Sequence, residues 1–522
     1  MVWRRRDVLK TGSAMVAAAG IPSLGLAQGT PAATGALEID TAGQTMPISP
    51  LIFGQFIEFL GRSITGGIFE EGSPLSDENG FRRDVLAKVQ GLQPTILRFP
   101  GGTVTKIYHW EDGIGPRSQR RARPNLIWGG VEDNHFGTDE FIRYARALKA
   151  EPFITVGMGV GTAEEASNWV EYCNGTAATH YADLRRRHGF AEPHAVKYWG
   201  LGNEEDAEPD AGRLQDPADY SREAWYYAKL MKLQDPTIKL IAAGGGRAWN
   251  ERVIHDLHPV ADYLALHLYP KTQGGVPLSL IKSADDTEAT IGTIRNQIAT
   301  LAPPRVTEFN KWYRFPPRTA PMMIALDEIG IWEDAGAGVY NMETRYDWNH
   351  ALATATLYNV MIRNADIIGM ATWAQTVNVL APILTNATGS IAQTIWFVMA
   401  LYRRFCGSHR LAVALPSPVL ALPGAEQQRC LDTSATIDEA SGTISVFVVN
   451  RHPDRAMTTR IARPAGYARV ELHELSAPSS RSANTLDRPT ENVVAERSRS
   501  LRTIPDRYSF PAHSVTVLRF QR

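Results

Sequence analysis

Two stretches of the sequence decide the fold that we predict: KYWGLGNE, residues 197–204, and MMIALDE, residues 322–328. Each is a short, nearly continuous apolar run that ends in a carboxylate, Glu204 in the first and Glu328 in the second. Runs of this kind are typical of strands buried on both faces of a parallel sheet. The two stretches therefore predict a parallel sheet with acidic groups at its edge.

Eight such apolar runs occur between residues 51 and 373, and amphipathic stretches such as Thr138–Leu148 and Tyr220–Leu233 lie between several of them. The predicted strands are Leu51–Phe53, Thr95–Phe99, Pro152–Val156, Lys197–Leu201, Lys239–Ala243, Tyr263–Leu268, Met322–Leu326 and Ile367–Trp373. Eight strand–helix units of this length predict an α/β fold, the (β/α)8 TIM barrel.

After about residue 390 the pattern changes, and no long helical period appears past Phe405. Thr443–Asn450, Ala468–Leu472 and Ser514–Phe520 are strand-like and separated by turn-forming residues, which predicts a C-terminal antiparallel β-sandwich, jelly-roll-like. The predicted organisation is a signal peptide at 1–27, an N-terminal segment at 28–50, the barrel at 51–390 and the sandwich at 391–522. Ala36–Ile39 in the N-terminal segment is expected to add a strand to the sandwich.

Composition narrows the class of protein. The formal net charge of the 522 residues is -1, and Lys and Arg form no extended cluster, so no nucleic-acid partner is expected. The three cysteines form no CxxC pattern, so we expect no structural metal. A disulfide between Cys406 and Cys430 could form in an oxidising compartment.

The N-terminus resembles an export address. Arg4-Arg5-Arg6 precedes a weakly apolar stretch, and small residues follow near Ala27. This is a twin-arginine pattern, which predicts export by a bacterium to a periplasmic or secreted location. The apolar stretch is too short and too rich in small residues for a membrane span, so no membrane association is expected after cleavage.

Barrel enzymes carry their catalytic groups at the carboxyl ends of the strands. Glu204 ends the fourth predicted strand and Glu328 the seventh, so the two carboxylates face each other across the barrel mouth. Cleaving a glycosidic bond needs one carboxylic acid to protonate the leaving oxygen and one carboxylate to attack the anomeric carbon. A lone Glu at a strand end is more often a surface residue, but the pair on these two strands favours a glycosidase, which would be retaining if the carboxylates lie roughly 5–5.5 Å apart.

Other strand ends supply groups that could hold a sugar or tune the two carboxylates. Arg98, if it reaches Glu328, would keep that carboxylate ionised, and Tyr269 could donate a hydrogen bond to it. Glu204 lies beside Asn203 without an obvious cation and can hold its proton more easily. Taken singly, His267 is more often a structural residue, and Trp332 could equally belong to the core. The predicted substrate-binding residues are Glu58, Arg98, Thr103, Asn203, His267, Tyr269, Trp332 and Gln375.

Ordered motifs throughout the barrel region carry a family resemblance. They are FGQFIEFLGRSITGGIFE (53–70), LRFPGG (97–102), WEDGIGPR (110–117), NHFGTDEF (134–141), NWVEYCNG (168–175), KYWGLGNE (197–204), ALHLY (265–269), ALDE (325–328) and AQTVNVLAPI (374–383). With these motifs the chain resembles the α-L-arabinofuranosidases of glycoside hydrolase family 51.

The resemblance implies a role for each matching residue. Glu204 is implied to be the acid/base and Glu328 the nucleophile. Glu58, Asn203 and Gln375 would bond the sugar, Arg98 and Tyr269 would orient the nucleophile, and Trp332 would line the pocket. The implied partner is an arabinofuranosyl-decorated glycan. No metal or organic cofactor is implied, and a homo-oligomer is a possible assembly.

Three departures from the family pattern concern substrate recognition. The family usually has Asn where this chain has Thr103, Trp-Asn where it has Ile329-Gly330, and Met-Asp-Gly-Pro-Trp where it has the residues Glu205 to Pro209. We expect a changed or narrowed leaving-group preference.

The same carboxylates could also cleave a D-arabinofuranoside, a β-xyloside or a β-glucan. A non-catalytic periplasmic carbohydrate-binding protein is a further alternative, although both glutamates are present.

Overall fold

A computed structural model describes residues 35–207, 212–271, 278–303, 306–313, 315–332, 342–420 and 428–522. The predicted signal peptide at 1–27 and the residues Glu208 and Pro209 of the loop after Glu204 lie outside the described residues.

Eight parallel strands close into a barrel, as predicted. In chain order these barrel strands 1 to 8 are Gly54–Phe56, Ile96–Phe99, Glu151–Val156, Tyr198–Leu201, Lys239–Ala242, Tyr263–Leu268, Met323–Ile329 and Ile368–Ala374. Barrel strand 8 pairs with barrel strand 1, which closes the ring. The prediction of a TIM barrel is confirmed.

The predicted position of the first strand is wrong. Leu51–Phe53 belongs to a 3-10 helix, Pro50–Phe53, and the strand follows it at Gly54–Phe56. The Ser49 hydroxyl accepts a hydrogen bond from the amide of Leu51, and Pro50 has the fixed φ and missing N–H that suit a first helical position. These local residues start a helical turn, so the apolar character of the run does not by itself make it a strand. The other seven predicted strands lie within three residues of the observed bounds.

The barrel interior is filled by one inward residue from each of seven strands. This cluster consists of Ile96, Phe153, Tyr198, Ile241, Ala265, Ala325 and Met370. Because side chains alternate along a strand, the next inward residue lies two positions further towards the carboxyl end. Two positions beyond Ile96, Ala265 and Ala325 come Arg98, His267 and Asp327. The apolar floor thus supports a layer of polar groups.

Helices cover the outside of the barrel. The described helices are Arg83–Leu92, Thr138–Leu148, Ala163–Asn174, His180–Arg187, Pro217–Gln234, Arg247–Leu257, Leu278–Leu301, Glu308–Tyr313, Trp348–Arg363 and Thr394–Phe405. Pro217–Gln234 begins where Asp216 accepts hydrogen bonds from the amides of Ala218 and Asp219. A side-chain cap of this kind stabilises the first turn of a helix.

The C-terminal region is built from strands, as predicted. In order across the sheet they are Ala495–Leu501, Arg469–Ser476, Ser514–Gln521, Thr443–Asn450, Leu431–Asp438, His409–Ala414, Ala36–Asp40, Met457–Ile461 and Arg507–Phe510. Neighbours are antiparallel except for Ala36–Asp40 beside Met457–Ile461, which are parallel. The short strand Met46–Pro47 also pairs with His409–Ala414. The barrel and the sandwich belong to one compact unit.

The three cysteines are free thiols, so the Cys406–Cys430 disulfide does not form. Cys430 is buried within the apolar core of the sandwich, whereas Cys406 follows the helix Thr394–Phe405 and packs against the core of the barrel. The two thiols therefore belong to different cores.

Candidate active site

Glu328 lies at the end of barrel strand 7, and both of its carboxylate oxygens are engaged. Nη1 of Arg98 donates to Oε1 at 2.8 Å, and the hydroxyl of Tyr269 donates to Oε2 at 2.8 Å. Only 9% of the Glu328 side chain is exposed. The guanidinium places a positive charge directly against this carboxylate. The two hydrogen bonds give Glu328 the fixed orientation that a nucleophile needs.

Arg98 is itself held on every side. Its Nε donates to the Thr155 hydroxyl at 3.0 Å, and its Nη2 donates to Oδ1 of Asn203 at 2.7 Å. The guanidinium lies 4.7 Å from the centre of the Phe56 ring and is fully buried. The Asp327 and Glu328 carboxylates outweigh burial and raise the pKa of Arg98. Arg98 is therefore a fixed positive charge in the polar layer above the apolar floor of the barrel.

Glu204 ends barrel strand 4 and is the more open of the two glutamates. Its side chain is 30% exposed, and its Oε1 lies 2.7 Å from Nδ1 of His267. Carboxylate oxygens of Glu204 and Glu328, together with a ring nitrogen of His267, all lie within 4.8 Å of one another. A carboxyl separation of roughly 5–5.5 Å is typical of retaining glycosidases, whereas inverting enzymes need about 6.5–9.5 Å.

His267 lies between the two glutamates. Besides Glu204, its ring is 3.5 Å from Oε2 of Glu328 and, through Nε2, 3.5 Å from Oδ1 of Asp327. Burial lowers the pKa of His267, but the Glu328 and Asp327 carboxylates outweigh it and hold that pKa well above its ordinary value. His267 is thus in direct contact with both predicted catalytic glutamates, and the expectation that Glu204 has no cation beside it is wrong.

Glu58 and Gln375 meet on the opposite side of the site, beyond barrel strands 1 and 8. Nε2 of Gln375 donates to Oε2 of Glu58 at 2.8 Å, while the Val104 amide and Nε1 of Trp128 donate to Oε1 at 3.2 and 3.1 Å. Burial and the charge of Glu328 raise the pKa of Glu58 to about 7, against these three donors. Glu58 can therefore change its protonation state near neutral pH.

Asn203 and Gly102 border the same space. Nδ2 of Asn203 is buried and has no hydrogen-bond partner among the described residues, which leaves a donor for a ligand oxygen. A Cβ on Gly102 would lie 2.4 Å from Oε1 of Glu328, so this position needs glycine. Thr103 follows at the start of the 3-10 helix Thr103–Lys106 and is buried. Trp332 meets the Tyr269 ring edge to face, with centroids 5.9 Å apart.

Sequence reasoning missed three groups in contact with these residues. Asp327 faces Arg98 at 3.5 Å, and Thr155 fixes the same guanidinium. The period-two alternation along barrel strands 3 and 7 could have indicated both. Trp128 reaches Glu58 from the long connection after barrel strand 2, between the short paired strands Arg123–Pro124 and Val131–Glu132. No spacing in the sequence points to it.

Glu204, His267 and Glu328 are close enough to share a metal ion. Contacts within the site already engage them: Nη1 of Arg98 donates to Oε1 of Glu328, and Nδ1 of His267 lies 2.7 Å from Oε1 of Glu204.

The fold and the paired carboxylates define a class of protein, the barrel glycoside hydrolases. Comparisons with known proteins narrow this class. Residues 88–285 match the family description "Alpha-L-arabinofuranosidase 1 domain", and residues 308–514 match "Alpha-L-arabinofuranosidase C-terminal domain".

Relatives agree with these matches over almost the whole chain. A probable α-L-arabinofuranosidase C of Aspergillus flavus is 36% identical over 507 residues, which are 94% of this chain and 98% of the relative. An intracellular exo-α-(1→5)-L-arabinofuranosidase of Halalkalibacterium halodurans is 31% identical and covers 81% of this chain and 86% of the relative. The Thermotoga maritima α-L-arabinofuranosidase, solved with arabinose, has a TM-score of 0.82 at 34% identity and covers 91% of this chain and 97% of that one. The chain belongs to the α-L-arabinofuranosidases of glycoside hydrolase family 51.

The same comparisons contradict the predicted localisation. Relatives such as those from Aspergillus flavus and Emericella nidulans are fungal, and the one from Halalkalibacterium halodurans is named as intracellular. Bacterial twin-arginine export to the periplasm is therefore not supported, and that prediction is wrong. An arginine run before a weakly apolar stretch is too short a signal to establish an export route. Within the described ranges, no helix combines the length and the apolar character that a membrane span requires.

Proposed function

We propose that this protein releases terminal α-L-arabinofuranosyl residues from arabinose-containing polysaccharides or oligosaccharides by double displacement. Glu328 is the nucleophile and Glu204 the acid/base. The observation that carries the proposal is the approach of the two carboxylates, whose oxygens lie within 4.8 Å of each other at the ends of barrel strands 7 and 4. That separation suits direct attack by Glu328 and leaves no room for a water molecule between Glu328 and the sugar.

In the first step a carboxylate oxygen of Glu328 attacks the anomeric carbon while Glu204 gives its proton to the leaving oxygen. The products are a glycosyl ester on Glu328 and the released alcohol. In the second step Glu204, now a carboxylate, takes a proton from water, which attacks the same carbon and frees Glu328. Arg98 and Tyr269 stabilise the Glu328 carboxylate before attack and after release.

Glu58, Gln375 and Asn203 are placed to bond the furanose hydroxyls. The free Nδ2 of Asn203 donates, and the Glu58 carboxyl accepts. Hydrogen bonds to ring hydroxyls that strengthen as positive charge develops on the sugar contribute to catalysis. Trp332 supplies an aromatic wall next to Tyr269.

The test is hydrolysis of 4-nitrophenyl α-L-arabinofuranoside beside the matching β-xyloside, β-glucoside and α-D-arabinofuranoside. We expect a clear preference for the first substrate, abolished in Glu328→Ala. NMR of transfer products formed in methanol should show the methyl α-L-arabinofuranoside, which retains the configuration. The methyl β-L-arabinofuranoside would exclude double displacement. A preference for another glycoside would mean that the enzyme is specific for that sugar instead.

The changed residues Thr103 and Glu205 support a narrowed leaving-group preference within this activity. Comparable rates on a broad panel of arabino-oligosaccharides would refute it.

A homo-oligomer is also proposed, from family membership alone, and light scattering of the purified protein tests it.

A further inference from the structure

Asp327 is a buried carboxylate with a positively charged neighbour at each oxygen. Its side chain is 4% exposed; Oδ2 lies 3.5 Å from Nη2 of Arg98, and Oδ1 lies 3.5 Å from Nε2 of His267. Oδ1 has no hydrogen-bond partner among the described residues, so His267 is the described cation that compensates it. Burial raises the pKa of Asp327, but the charges of Arg98 and His267 outweigh it and lower that pKa below its ordinary value.

Each of these two cations also holds one of the glutamates. Nη1 of Arg98 donates to Oε1 of Glu328 at 2.8 Å, and Nδ1 of His267 lies 2.7 Å from Oε1 of Glu204. Both ring nitrogens of His267 thus face carboxylate oxygens, and a ring that carries both protons can donate to each. The contact at Oε1 leaves Oε2 of Glu204 to carry the proton for the leaving oxygen. Two chains of contacts therefore start at Asp327, and one leads to each glutamate.

The backbone of Asp327 keeps this carboxylate in place. Its carbonyl oxygen accepts hydrogen bonds from Nη1 of Arg98 at 3.0 Å and from the hydroxyl of Thr372 at 2.5 Å. Thr372 belongs to barrel strand 8 and is fully buried. Because catalytic groups tolerate displacements of only about 0.5 Å, a rigid support behind them affects the rate.

We propose that Asp327 is a positioning residue that couples the two glutamates, orienting Glu328 through Arg98 and Glu204 through His267. This inference rests on the proposed roles of Glu204 and Glu328, and it adds a third carboxylate to that site. Loss of the Asp327 charge leaves both cations without their shared counter-ion. Attack by Glu328 and proton transfer from Glu204 should therefore both become slower.

The experiment measures kcat/KM on α-L-arabinofuranosides with a good and a poor leaving group, 4-nitrophenyl and benzyl. The variants are Asp327→Asn, which keeps the size of the side chain and removes its charge, His267→Leu, which removes the contact with Glu204, and the double variant. The ratio of the benzyl value to the 4-nitrophenyl value reports on the acid Glu204, because a good leaving group needs little protonation.

We expect Asp327→Asn to lower kcat/KM about tenfold on the 4-nitrophenyl substrate, through Glu328, and about 100-fold on the benzyl substrate, where the acid is also displaced. The ratio of the two values should therefore fall about tenfold. His267→Leu should lower the ratio by a similar factor. In the double variant the ratio should stay at that of His267→Leu, since Asp327 acts on Glu204 through His267.

Asp139→Asn is the matched control. Asp139 is also a buried carboxylate beside a buried histidine, with its Oδ1 2.9 Å from Nε2 of His194, and it lies on the helix Thr138–Leu148 outside the barrel. This variant should lower thermal stability and leave the ratio unchanged.

A ratio that is unchanged in Asp327→Asn, or that falls as far in the His267→Leu background as in the parent, would overturn the coupling to Glu204. An unchanged 4-nitrophenyl value in Asp327→Asn would overturn the coupling to Glu328. If Asp327→Asn does not fold, His267→Asn decides, because its amide can replace Nδ1 next to Glu204 and is too short to replace Nε2 next to Asp327. A lowered ratio in this variant supports the proposal, and the parent ratio overturns it.

Glu204→Ala separates the two levels of inference. If that variant shows no leaving-group dependence, the proposed function itself fails. If it does and the Asp327 and His267 variants do not, only the positioning role fails.

Discussion

The two glutamates proposed to be catalytic are chemically identical, and the regions around them differ. Glu328 is 9% exposed and receives hydrogen bonds from Arg98 and Tyr269 on both oxygens. Glu204 is 30% exposed and has one described side-chain contact within hydrogen-bond distance, with His267. One region holds both carboxylate oxygens in place, and the other leaves an oxygen open towards solvent. The difference teaches that surroundings, not residue type, divide the proposed roles of nucleophile and acid/base.

The largest effect is expected for a substitution of Glu328, the proposed nucleophile. Glu328→Gln keeps the size of the side chain and removes its charge, so no glycosyl ester can form. We expect kcat to fall at least about 10⁴-fold on every substrate. Initial rates with 4-nitrophenyl α-L-arabinofuranoside measure this, with circular dichroism to show that the variant is folded. A folded variant with a tenth of the parent rate would assign the nucleophile elsewhere.

Substitution of Glu204, the proposed acid/base, should lower the rate by a factor that depends on the leaving group of the substrate. Glu204→Ala should lower the rate on benzyl arabinofuranoside or arabino-oligosaccharides about 10³-fold, and less on 4-nitrophenyl substrates, because these need little protonation to leave. Added azide should restore turnover of the activated substrate and yield a glycosyl azide of unchanged configuration. Equal losses on both substrate types, with no response to azide, would contradict the assignment.

A smaller effect on activity is expected when Glu328 is kept and one of its hydrogen bonds is removed. Tyr269→Phe removes the hydrogen bond to Oε2 and keeps the ring that packs on Trp332. A hydrogen bond to a charged group contributes roughly 1.5–3 kcal/mol, so kcat/KM should fall about 10- to 100-fold. Tyr402→Phe is the matched control, because its buried hydroxyl donates to Asn359 at 2.8 Å, outside the site. It should reduce stability without reducing kcat/KM, and similar losses in both variants would refute a specific role for Tyr269.

Elements with a regular pattern of apolar residues could be predicted from the sequence. Features that depend on irregular backbone could not. Apolar runs gave the strands, and their carboxyl ends located Glu204 and Glu328 on facing strands. Alternation along barrel strand 2 places Arg98 in the polar layer above the apolar floor, where it does reach Glu328. The first strand was misplaced because Ser49 and Pro50 start a helical turn. The positive φ of Glu204, +45°, was also hidden, because no residue type or spacing in the sequence indicates it.

The smallest expected effect concerns Trp128, which lies outside both glutamate regions and acts through Glu58. Burial and Glu328 raise the pKa of Glu58 to about 7 in the folded protein, from an ordinary value of 4.5. Stability from this group is therefore fully present below about pH 4.5 and is lost as pH rises through about 7. The indole of Trp128 donates to the carboxylate and opposes that loss.

Trp128→Phe should therefore raise the pKa of Glu58 further and deepen the loss of stability at high pH. A hydrogen bond to a charged group is worth more than one to a neutral group, so the free energy of unfolding should fall by about 1 kcal/mol more at pH 8 than at pH 4. Denaturant unfolding of parent and variant at both pH values measures this difference. The same loss at pH 4 and pH 8 would mean that Trp128 contributes packing alone, and that the ionisation of Glu58 is set without it.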